Sequence, residues 1–431
     1  MTPVVSSRSR LAAVAGVVLL AVAACSGGTS AADGDGSSTT ATIEAEGISP
    51  SSEAGDVEGE AGDVEPEELD AGADLYAVPD PIPEDEHGTL LRYQEITPTQ
   101  VEGSTTWRVM YLSESLEGES IVVTGTVLVP TAPAPAEGRM VVANAHGTTG
   151  IADECAPSKD GGDVALALMG PVLDAGWVVT STDYEGLGTP GRHPYLVGES
   201  EGRGVIDSVR AAAQLPDAEL GDQLALTGYS QGGHGALWAG EIAAEWAPEL
   251  EVVGTFAGAP ATEIDLILQV APSLPQAGFA YMIVAGIAAA YPEADPALFL
   301  TDEGVARLDA VDEGCIGEIF AAVSGVPATD LVRAGGAEVE PWKSLAVENN
   351  PGQVTTDAPI LIIHSEQDDT VPVALSGILE GRMCGLGQVV ELRVLPEGGS
   401  HGGAAPEAFR QGLEWLTGLV EGTEPVDGCA A

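Results

Sequence analysis

Short, continuous apolar runs alternate with helix-forming segments along most of this 431-residue chain. Such runs predict strands that are buried on both faces, and the segments between them have the apolar spacing of helices. The predicted strands are 140–145, 177–182, 224–226, 252–257, 359–364 and 389–395. The predicted helices are 164–173, 204–215, 231–247 and 407–419. This alternation predicts an α/β fold with a mostly parallel sheet and helices on both of its faces.

Two regions depart from the alternation. The segments 106–111 and 121–129 predict an antiparallel hairpin at the edge of the sheet. Between 258 and 354 the chain is rich in helix formers and carries an apolar run at 277–291, which is too short and too closely flanked by prolines for a membrane span. Because so long a connection is unusual in a compact domain, we predict a helical insertion. It either buries a small core of its own or caps a functional site, and we favour the cap.

The N-terminus has the organisation of an export signal, which we assign to residues 1–25. Arg8 and Arg10 precede an apolar run at 11–24, shorter than the roughly 20 residues that span a bilayer. The run ends in a sequence similar to bacterial lipoprotein cleavage boxes, which predicts a lipid anchor on Cys25. Ordinary secretion after an Ala-Val-Ala site is the alternative. An acylated Cys25 leaves four cysteines, an even set that suits an oxidising compartment.

The segment 26–86 consists mainly of Gly, Ser, Thr, Ala, Asp and Glu, and it contains no Lys or Arg. Its like charges extend the chain, and it has too little apolar surface to offset the entropy of ordering. We therefore predict a disordered acidic tether over 26–86, with a cation-binding arm as the alternative. The catalytic domain is predicted over 87–257 and 355–431, on either side of the insertion at 258–354.

Acidic residues greatly outnumber basic ones, 67 against 15, which gives a net charge of −52. Such a field repels phosphate backbones and excludes nucleic acid as a partner. We interpret the acidity as solubility in an extracellular or salty medium. The sequence has no C-x-x-C, H-E-x-x-H, EF-hand, P-loop or dinucleotide-binding glycine pattern, so we predict neither a metal nor a cofactor.

The strongest chemical signal is Gly-Tyr-Ser-Gln-Gly at 228–232. This pentapeptide follows the predicted strand at 224–226 and precedes an Ala-rich helix, which is the setting of a nucleophile elbow. Glycines flank the serine because the turn is strained and a Cβ on either side would strike neighbouring backbone. Ser230 is therefore the candidate nucleophile, presented at the carboxyl edge of the sheet.

A serine hydroxyl needs a general base, and that base needs a carboxylate to fix its tautomer. In α/β-hydrolases the chain order is serine, then acid, then histidine. Of the six histidines, His364 and His401 are the two that lie well downstream of Ser230. His364 precedes the candidate acids, which violates this order. His401, in a Gly-rich loop predicted to be flexible at 396–403, is therefore the predicted base.

Asp368 is the predicted acid, because it follows a late strand and begins a D-x-x-V-P sequence. Glu366 and Asp369 are the alternatives. For Asp369, a role as a turn or N-cap residue before a helix near Val373 is the favoured interpretation. One further predicted strand, 389–395, separates Asp368 from the base, as the hydrolase geometry requires.

The oxyanion formed during acyl transfer needs two preorganised N–H donors. The backbone of Gln231, directly after the nucleophile at a helix start, is one predicted donor. The second is expected from the loop at 144–150, where Thr148 and Thr149 are both candidates. His146 is predicted to be a core histidine that positions this loop.

From about residue 90 to the C-terminus, the sequence resembles the secretory lipase family of α/β-hydrolases, specifically its lipase A type with a large lid. The resemblance is carried by 147–158, 183–186, 201–210, 228–233 and the segments around Asp368 and His401. It implies that Ser230, Asp368 and His401 form a catalytic triad. It also implies that the insertion at 258–354 is the lid.

The same resemblance implies two disulfides, Cys155 with Cys315 and Cys384 with Cys429. Thr148 and Thr149 stand where the lipase A type has an acidic oxyanion residue, a departure that bears on acyl preference. The lipoprotein box and the acidic tether are further departures, and they favour display at the cell surface over free secretion.

Taken together, these features predict an exported serine ester hydrolase, a lipase or carboxylesterase that forms an acyl-enzyme without a cofactor. Its partners are a small ester or lipid substrate and, through Cys25, a membrane, and no protein partner is predicted. A serine peptidase or acyltransferase on the same fold is the alternative, because a triad does not specify the acyl acceptor. A surface-anchored lipid carrier is a third hypothesis, against which the complete candidate triad argues.

Overall fold

The computed structural model describes residues 64–273 and 277–430. The export signal predicted at 1–25, its Cys25 and the first part of the predicted tether, 26–63, lie outside the described residues.

Ten strands form one sheet in the described part of the chain. They are β1 (Glu67–Glu68), β2 (Leu90–Ile96), β3 (Ser104–Glu114), β4 (Ser120–Pro130), β5 (Arg139–Ala145), β6 (Val178–Thr182), β7 (Leu220–Tyr229), β8 (Glu251–Gly258), β9 (Ile360–Ser365) and β10 (Val390–Leu395). Their order is β1-β2-β3-β4-β6-β5-β7-β8-β9-β10. The six strands from β6 to β10 in this order pair in parallel, which confirms the mostly parallel sheet.

The antiparallel part of the sheet is larger than predicted. The hairpin of β3 and β4 is present, and β4 joins β6 in antiparallel orientation. However, β2 also pairs antiparallel with β3, and β1 lies beyond it, so the hairpin is not the edge. The strand β2 reads Leu-Leu-Arg-Tyr-Gln-Glu-Ile and is buried unevenly, so its sequence lacks the clear alternation that predicts a strand.

The predicted tether ends earlier than residue 86, because the chain is packed from residue 64 onwards. The strand β1 pairs with β2, and Leu75, only 1% exposed, packs against Met110 and Leu112 of β3. Tyr76 places its hydroxyl 2.7 Å from Ser158 Oγ. A few apolar side chains within an acidic composition are enough to fasten this segment to the edge of the sheet.

Twelve α-helices are present in the described residues. They are α1 (Gly170–Asp174), α2 (Gly198–Ala212), α3 (Gln231–Trp246), α4 (Ile264–Val270), α5 (Ala277–Ala290), α6 (Pro296–Phe299), α7 (Asp302–Val305), α8 (Ile316–Val323), α9 (Ala328–Leu331), α10 (Trp342–Glu348), α11 (Val373–Leu386) and α12 (His401–Val420).

Three predicted helices differ from the observed ones: α2 spans Gly198–Ala212, earlier in the chain than the predicted 204–215, and the other two differ at a proline. The helix predicted at 164–173 is divided into a 3₁₀ turn, Val164–Leu168, and α1, because Pro171 lacks an N–H and favours a helix start. The helix predicted from 407 instead begins at His401 and contains Pro406. The loop predicted to be flexible at 396–403 therefore ends at residue 400.

Helices cover the parallel strands on both faces. On one face, α2 and α3 bury Val205, Val209 and Ala239 against strand residues that include Leu226. On the other face, α1 and α12 pack against the sheet, with Phe409 of α12 in contact with Phe256 of β8. The carboxyl ends of β7, β8 and β9 meet at one edge, because the three strands pair in parallel.

The helices α4 to α10 lie between β8 and β9, where the sequence predicts an insertion. They bury a core of their own, which includes Tyr281, Phe299 and Trp342. The apolar run at 277–291 forms α5, whose 14 residues are mostly buried in this core. None of the described helices combines the length and the hydropathy that a membrane crossing requires.

Candidate active site

Ser230 occupies a strained turn between β7 and α3. Its backbone angles, φ 62° and ψ −120°, lie outside the regions that non-glycine residues usually adopt. A Cβ on Gly228 would lie 2.0 Å from the carbonyl oxygen of Gly232, and a Cβ on Gly232 would lie 2.0 Å from that of Ala145. The two glycines are thus required for the turn, which raises the serine above the edge of the sheet.

Hydrogen bonds hold this turn on the neighbouring strand. The N–H of Ser230 donates to the carbonyl of Gly258 at the end of β8, at 2.9 Å. The carbonyl of Ser230 accepts from the N–H groups of His234 and Ala261, at 3.2 and 3.1 Å. The backbone of Ser230 is therefore fixed, whereas its hydroxyl makes no hydrogen bond with any of the described residues.

The imidazole of His401 is bound to the carboxylate of Asp368. The distance from Nδ1 to Oδ2 is 2.7 Å, and the Asp368 side chain is 0% exposed while that of His401 is 15% exposed. Since an ionised carboxylate accepts hydrogen bonds, Nδ1 carries a proton and Nε2 remains free to accept one. The pair thus has the tautomer that a general base needs.

Asp368 is surrounded by donors. Oδ1 accepts hydrogen bonds from the N–H groups of Thr370 and Val371, and Oδ2 lies 3.3 Å from Nε2 of His364. Burial by itself would raise the pKa of Asp368, but the hydrogen bonds from His364 and His401 outweigh it and hold the pKa well below its usual range. Glu366, the other candidate acid, is exposed to solvent.

His401 is held through its backbone as well as its ring. As the first residue of α12 it donates its N–H to Oδ1 of Asp369, at 3.1 Å, and its carbonyl accepts from the Tyr229 hydroxyl, at 2.6 Å. Asp369 is therefore not the N-cap of α11, a position that Pro372 occupies. Burial, and secondarily the charge of Asp368, raises the pKa of Tyr229, so its hydroxyl remains a donor.

Ser230 and His401 line the same cavity, which has a volume of about 780 Å³. Thr148 and Thr149 lie on its wall. Most of its surface is apolar, with contributions from Val164, Leu168, Phe279, Ile316, Ala405 and Phe409. The acidic residues Glu154, Asp160 and Asp163 also line it. A mainly apolar cavity that contains a nucleophile and a base suits an uncharged, lipid-like acyl group.

Among the predicted oxyanion donors, Thr148 and Thr149 line this cavity, and Gln231 directly follows Ser230, which also lines it. Gln231 is the first residue of α3, where helix geometry provides no acceptor within the helix for its N–H. Thr148 Oγ1 lies 2.8 Å from the Tyr195 hydroxyl, and the carbonyl of Thr149 accepts the N–H of Ile316 at 2.8 Å. The loop is thus held on both sides, and the choice between Thr148 and Thr149 stays open.

Both predicted disulfides are formed. Cys155 is bonded to Cys315, and Cys384 to Cys429. The first joins the segment after Thr149 to the start of α8, beside a β-bridge between Gly150 and Cys315. The segment that follows Thr148 and Thr149 is therefore linked covalently to the insertion.

Within 64–273 and 277–430, no three His, Cys, Asp or Glu residues are grouped so as to hold a metal ion. His146 is fully buried, with Nδ1 2.6 Å from the carbonyl of Gly147 and Nε2 3.3 Å from that of Asp183. It is packed against the start of the loop that carries Thr148 and Thr149.

The Secretory lipase family profile matches residues 163–428, which is more than half of the chain. This chain belongs to the secretory lipase family. It is therefore a carboxylic ester hydrolase with the α/β-hydrolase fold, which confirms the prediction of family, fold and enzyme class.

Curated relatives of this secretory lipase match along most of their length. A secreted triacylglycerol lipase of Malassezia globosa is 26% identical over 383 residues, which cover 82% of each chain. Lipase 5 of Candida albicans is 25% identical over 363 residues, covering 77% of this chain and 75% of the relative. Among solved structures, Candida antarctica lipase A superposes with a TM-score of 0.72 at 22% identity, covering 83% and 87% of the two chains. At 22% identity, the likeness to Candida antarctica lipase A shows a shared fold.

Three residues around the lipase's site were not assigned their observed contacts from the sequence, although Asp369 was considered as an alternative acid. They are Tyr229, Asp369 and His364, which contact His401 or Asp368. The four-residue spacing of His364 and Asp368 is a signal that could have joined them. The contacts of Tyr229 and Asp369 depend on where β7 ends and α12 begins, which sequence patterns locate poorly.

Proposed function

We propose that this secretory lipase hydrolyses small, uncharged carboxylic esters, acylglycerols among them, through Ser230, His401 and Asp368. The observation that carries the proposal is the 2.7 Å contact between His401 Nδ1 and the solvent-inaccessible carboxylate of Asp368. His401 lines a cavity together with Ser230, which lies on a nucleophile elbow. This arrangement meets the geometric requirements for a nucleophile, its base and the group that orients the base.

In the first half of the reaction, His401 Nε2 takes the proton of the Ser230 hydroxyl as Oγ attacks the ester carbonyl. The negative charge on the carbonyl oxygen is held by the N–H of Gln231 and by a donor from the loop of Thr148 and Thr149. The intermediate then collapses, the C–O bond breaks, and His401 returns its proton to the departing alcohol. The acyl group remains on Ser230.

In the second half, His401 removes a proton from water as the water oxygen attacks the acyl carbonyl. The oxyanion is held by the same donors, and the proton on Nε2 passes back to Ser230 Oγ as the acid leaves. Asp368 stays ionised throughout, because its hydrogen bonds lower its pKa, and it stabilises the imidazolium. Because Ser230 Oγ makes no hydrogen bond with the described residues, Nε2 must close on it when substrate binds.

The substrate class follows from the cavity and from the insertion. Apolar side chains of the insertion, Phe279 and Ile316, line the cavity together with Leu168 and Phe409. We therefore propose that α4 to α10 act as a cap that supplies part of the acyl-binding wall. The relative from Malassezia globosa is named a secreted triacylglycerol lipase, which supports acylglycerols as substrates.

Ser230→Ala tests the assignment. We expect it to reduce p-nitrophenyl butyrate hydrolysis to the background rate, because the acyl-enzyme cannot form. Ser324→Ala, at an exposed serine, is the matched control and should retain the parent rate. Circular dichroism establishes that both variants fold. Parent-level turnover by folded Ser230→Ala would overturn the proposal.

A peptidase would differ from the proposed lipase in its leaving group, which is an amine. An acyltransferase would differ in its acyl acceptor, which is not water. We expect the purified protein to release fatty acid from a triacylglycerol emulsion and to leave peptide substrates intact. Added alcohol should not replace water as the main acceptor at millimolar concentration. Peptide cleavage without ester cleavage would contradict the proposed function.

We also propose that the protein is exported and anchored to a membrane by acylated Cys25. The lipoprotein-like box before Cys25 and the four remaining cysteines, which form two disulfides, support this. The parent should incorporate radiolabelled palmitate, and Cys25→Ala should not. If palmitate is absent from the parent and Cys25→Ala is processed normally, the anchor is refuted.

A further inference from the structure

We propose that Glu201 and His234, buried beneath the nucleophile elbow, are positioning residues that fix Gln231 so that its backbone N–H meets the oxyanion. The inference rests on the proposed function, because Gln231 is an oxyanion donor in that reaction. It accounts for the motif at 201–210 and for the histidine that follows the elbow, neither of which the triad explains.

Glu201 binds both residues through its two carboxylate oxygens. Oε1 accepts from Gln231 Nε2 at 2.8 Å and from the N–H of Leu196 at 3.1 Å. Oε2 lies 2.6 Å from His234 Nδ1. Glu201 and His234 are 0% exposed, and Gln231 is 1% exposed. Water therefore does not compete with these contacts.

The number of protons that Glu201 and His234 share follows from the contact between His234 and the carbonyl of Asn349. His234 Nε2 lies 2.9 Å from the carbonyl of Asn349, which can only accept, so Nε2 carries a proton. One further proton lies between Nδ1 and Glu201 Oε2. Glu201 and His234 together thus carry no net charge, and they can be buried without opposing the charge that develops on the oxyanion.

Gln231 uses both amide hydrogens. Besides Glu201, its Nε2 donates to His193 Nε2 at 2.8 Å, while His193 Nδ1 donates to the carbonyl of Glu185 at 2.9 Å. Burial lowers the pKa of His193 to about 4, so its ring is neutral and can accept. Two opposed anchors therefore hold the side chain of Gln231 in one conformation, and its backbone N–H adjoins Ser230.

Close packing of two helices brings these groups together. A Cβ on Gly198 would lie 2.0 Å from the indole of Trp238, and one on Gly202 would lie 3.0 Å from the backbone nitrogen of Ala239. A Cβ on Gly235 would lie 3.3 Å from Glu201 Oε2. The missing side chains let α2 approach α3 closely enough for Glu201 to reach Gln231.

Glu201→Ala and Glu201→Gln test the positioning role. The alanine variant removes the acceptor of one Gln231 amide hydrogen and of the Leu196 N–H, and it removes the partner of His234 Nδ1. We expect kcat for p-nitrophenyl butyrate to fall about 10²-fold at unchanged KM, since a displaced donor weakens the transition state and not ground-state binding. Affinity for a boronic acid inhibitor, which mimics the oxyanion, should fall by a similar factor. Glu201→Gln preserves the contacts at Oε1 and should stay near the parent.

Asp207→Ala is the matched control. Asp207 is also 0% exposed on α2, and it binds His87 Nδ1 at 2.7 Å and the indole N–H of Trp246 at 2.9 Å. It should lower the unfolding temperature while leaving kcat and the boronic acid affinity unchanged. The positioning role is refuted if Glu201→Ala, like Asp207→Ala, lowers the unfolding temperature but leaves kcat unchanged. It is also refuted if Glu201→Gln loses as much kcat as Glu201→Ala.

Gln231→Met provides a test that leaves Glu201 and His234 intact. It keeps the backbone N–H and a similar shape but removes both side-chain anchors, so we expect the same loss of kcat at unchanged KM. Parent-level kcat in this variant would overturn the inference even if Glu201→Ala does not fold. Failure of the proposed function looks different, because the parent itself would then lack Ser230-dependent ester hydrolysis.

Discussion

At the scale of single residues, Asp368 shows how one side chain determines the state of another. Its Oδ1 is held by two backbone N–H groups and its Oδ2 faces two imidazoles, so the carboxylate has one orientation. His364 carries its proton on Nε2, because that nitrogen also contacts the carbonyl of Val371 at 2.9 Å. A carboxylate held in this way keeps the proton of His401 on Nδ1 and leaves Nε2 free to accept a proton.

Asp368→Asn should lower kcat for ester hydrolysis by about 10⁴-fold, because an amide no longer imposes that tautomer on His401. Steady-state kinetics with p-nitrophenyl butyrate measure the loss. Asp369→Asn is the control, since its side chain can still accept the backbone N–H of His401, and it should stay close to the parent. Comparable losses in both variants would contradict the assignment of Asp368.

The lowered pKa of Asp368 also predicts how stability depends on pH. An ionised group with a lowered folded pKa stabilises the fold above its unfolded pKa of about 3.9, and the contribution is lost as pH falls further. The free energies of unfolding of the parent and of Asp368→Asn should therefore differ at pH 7, and the difference should shrink progressively as the pH falls below about 4. Urea titrations at several pH values measure the difference, and a gap that stays constant would contradict the prediction.

The contact between His401 and Asp368 was more predictable from the sequence than the contacts around it. The glycines of the nucleophile elbow identify Ser230 as a candidate. The order serine, acid, histidine along α/β-hydrolase chains then points to Asp368 and His401. By contrast, Asp369 was predicted to be a turn or N-cap residue before α11; it is not the N-cap, and its Oδ1 accepts the N–H of His401. That contact forms across 32 residues of chain, and no local pattern encodes it.

At the scale of elements, the two disulfides differ in their distance along the structure from the cavity: Cys155–Cys315 lines it and Cys384–Cys429 does not. Cys155–Cys315 joins the segment after Thr149 to α8, next to the hydrogen bond from Ile316 N–H to the carbonyl of Thr149. Cys384–Cys429 joins the end of α11 to the C-terminal segment. Only the first adjoins residues that line the cavity.

Replacing each cysteine pair by serine should separate stability from catalysis. The chain-entropy estimate for loops of 160 and 45 residues gives similar losses of about 4 to 5 kcal/mol for the two disulfides. Cys155→Ser/Cys315→Ser should also lower kcat about tenfold or more, because the segment after Thr149 loses its anchor. Cys384→Ser/Cys429→Ser should keep the parent kcat below its melting temperature. Equal kcat in both double variants would contradict a role for the first disulfide in the site.

Element type was predicted better than element boundaries. Continuous apolar runs identify the parallel strands, because such strands are buried on both faces. The strand β2 and the early start of α12 were missed. The strand is unevenly buried, and Pro406 in α12 resembles a helix stop.

At the scale of the whole molecule, the charge of −52 governs which surfaces the lipase can approach. Repulsion from an anionic interface acts over about 30 Å at 10 mM salt and over only about 3 Å at 1 M. Adding phosphatidylglycerol to a neutral triacylglycerol emulsion should therefore slow fatty acid release at low salt, and added salt should restore it. Phosphatidylcholine is the control, and titration of released acid gives the rate. A rate increase with phosphatidylglycerol at low salt would contradict this account.

The overall architecture follows from the sequence because alternating strands and helices admit few arrangements. The insertion also stands out, since its length breaks that alternation, and its helices bury their own core around Tyr281 and Trp342. The predicted end of the tether at residue 86 is wrong because composition averages over a segment. An averaged composition conceals single anchoring side chains such as Leu75.

The most direct test of the central claim is mass-spectrometric mapping of a fluorophosphonate adduct. A triad assembled as described predicts one adduct per chain on Ser230 in the parent, and strongly reduced labelling in folded His401→Ala. Ester turnover by the parent with no adduct on Ser230, or with the adduct on another residue, would contradict it.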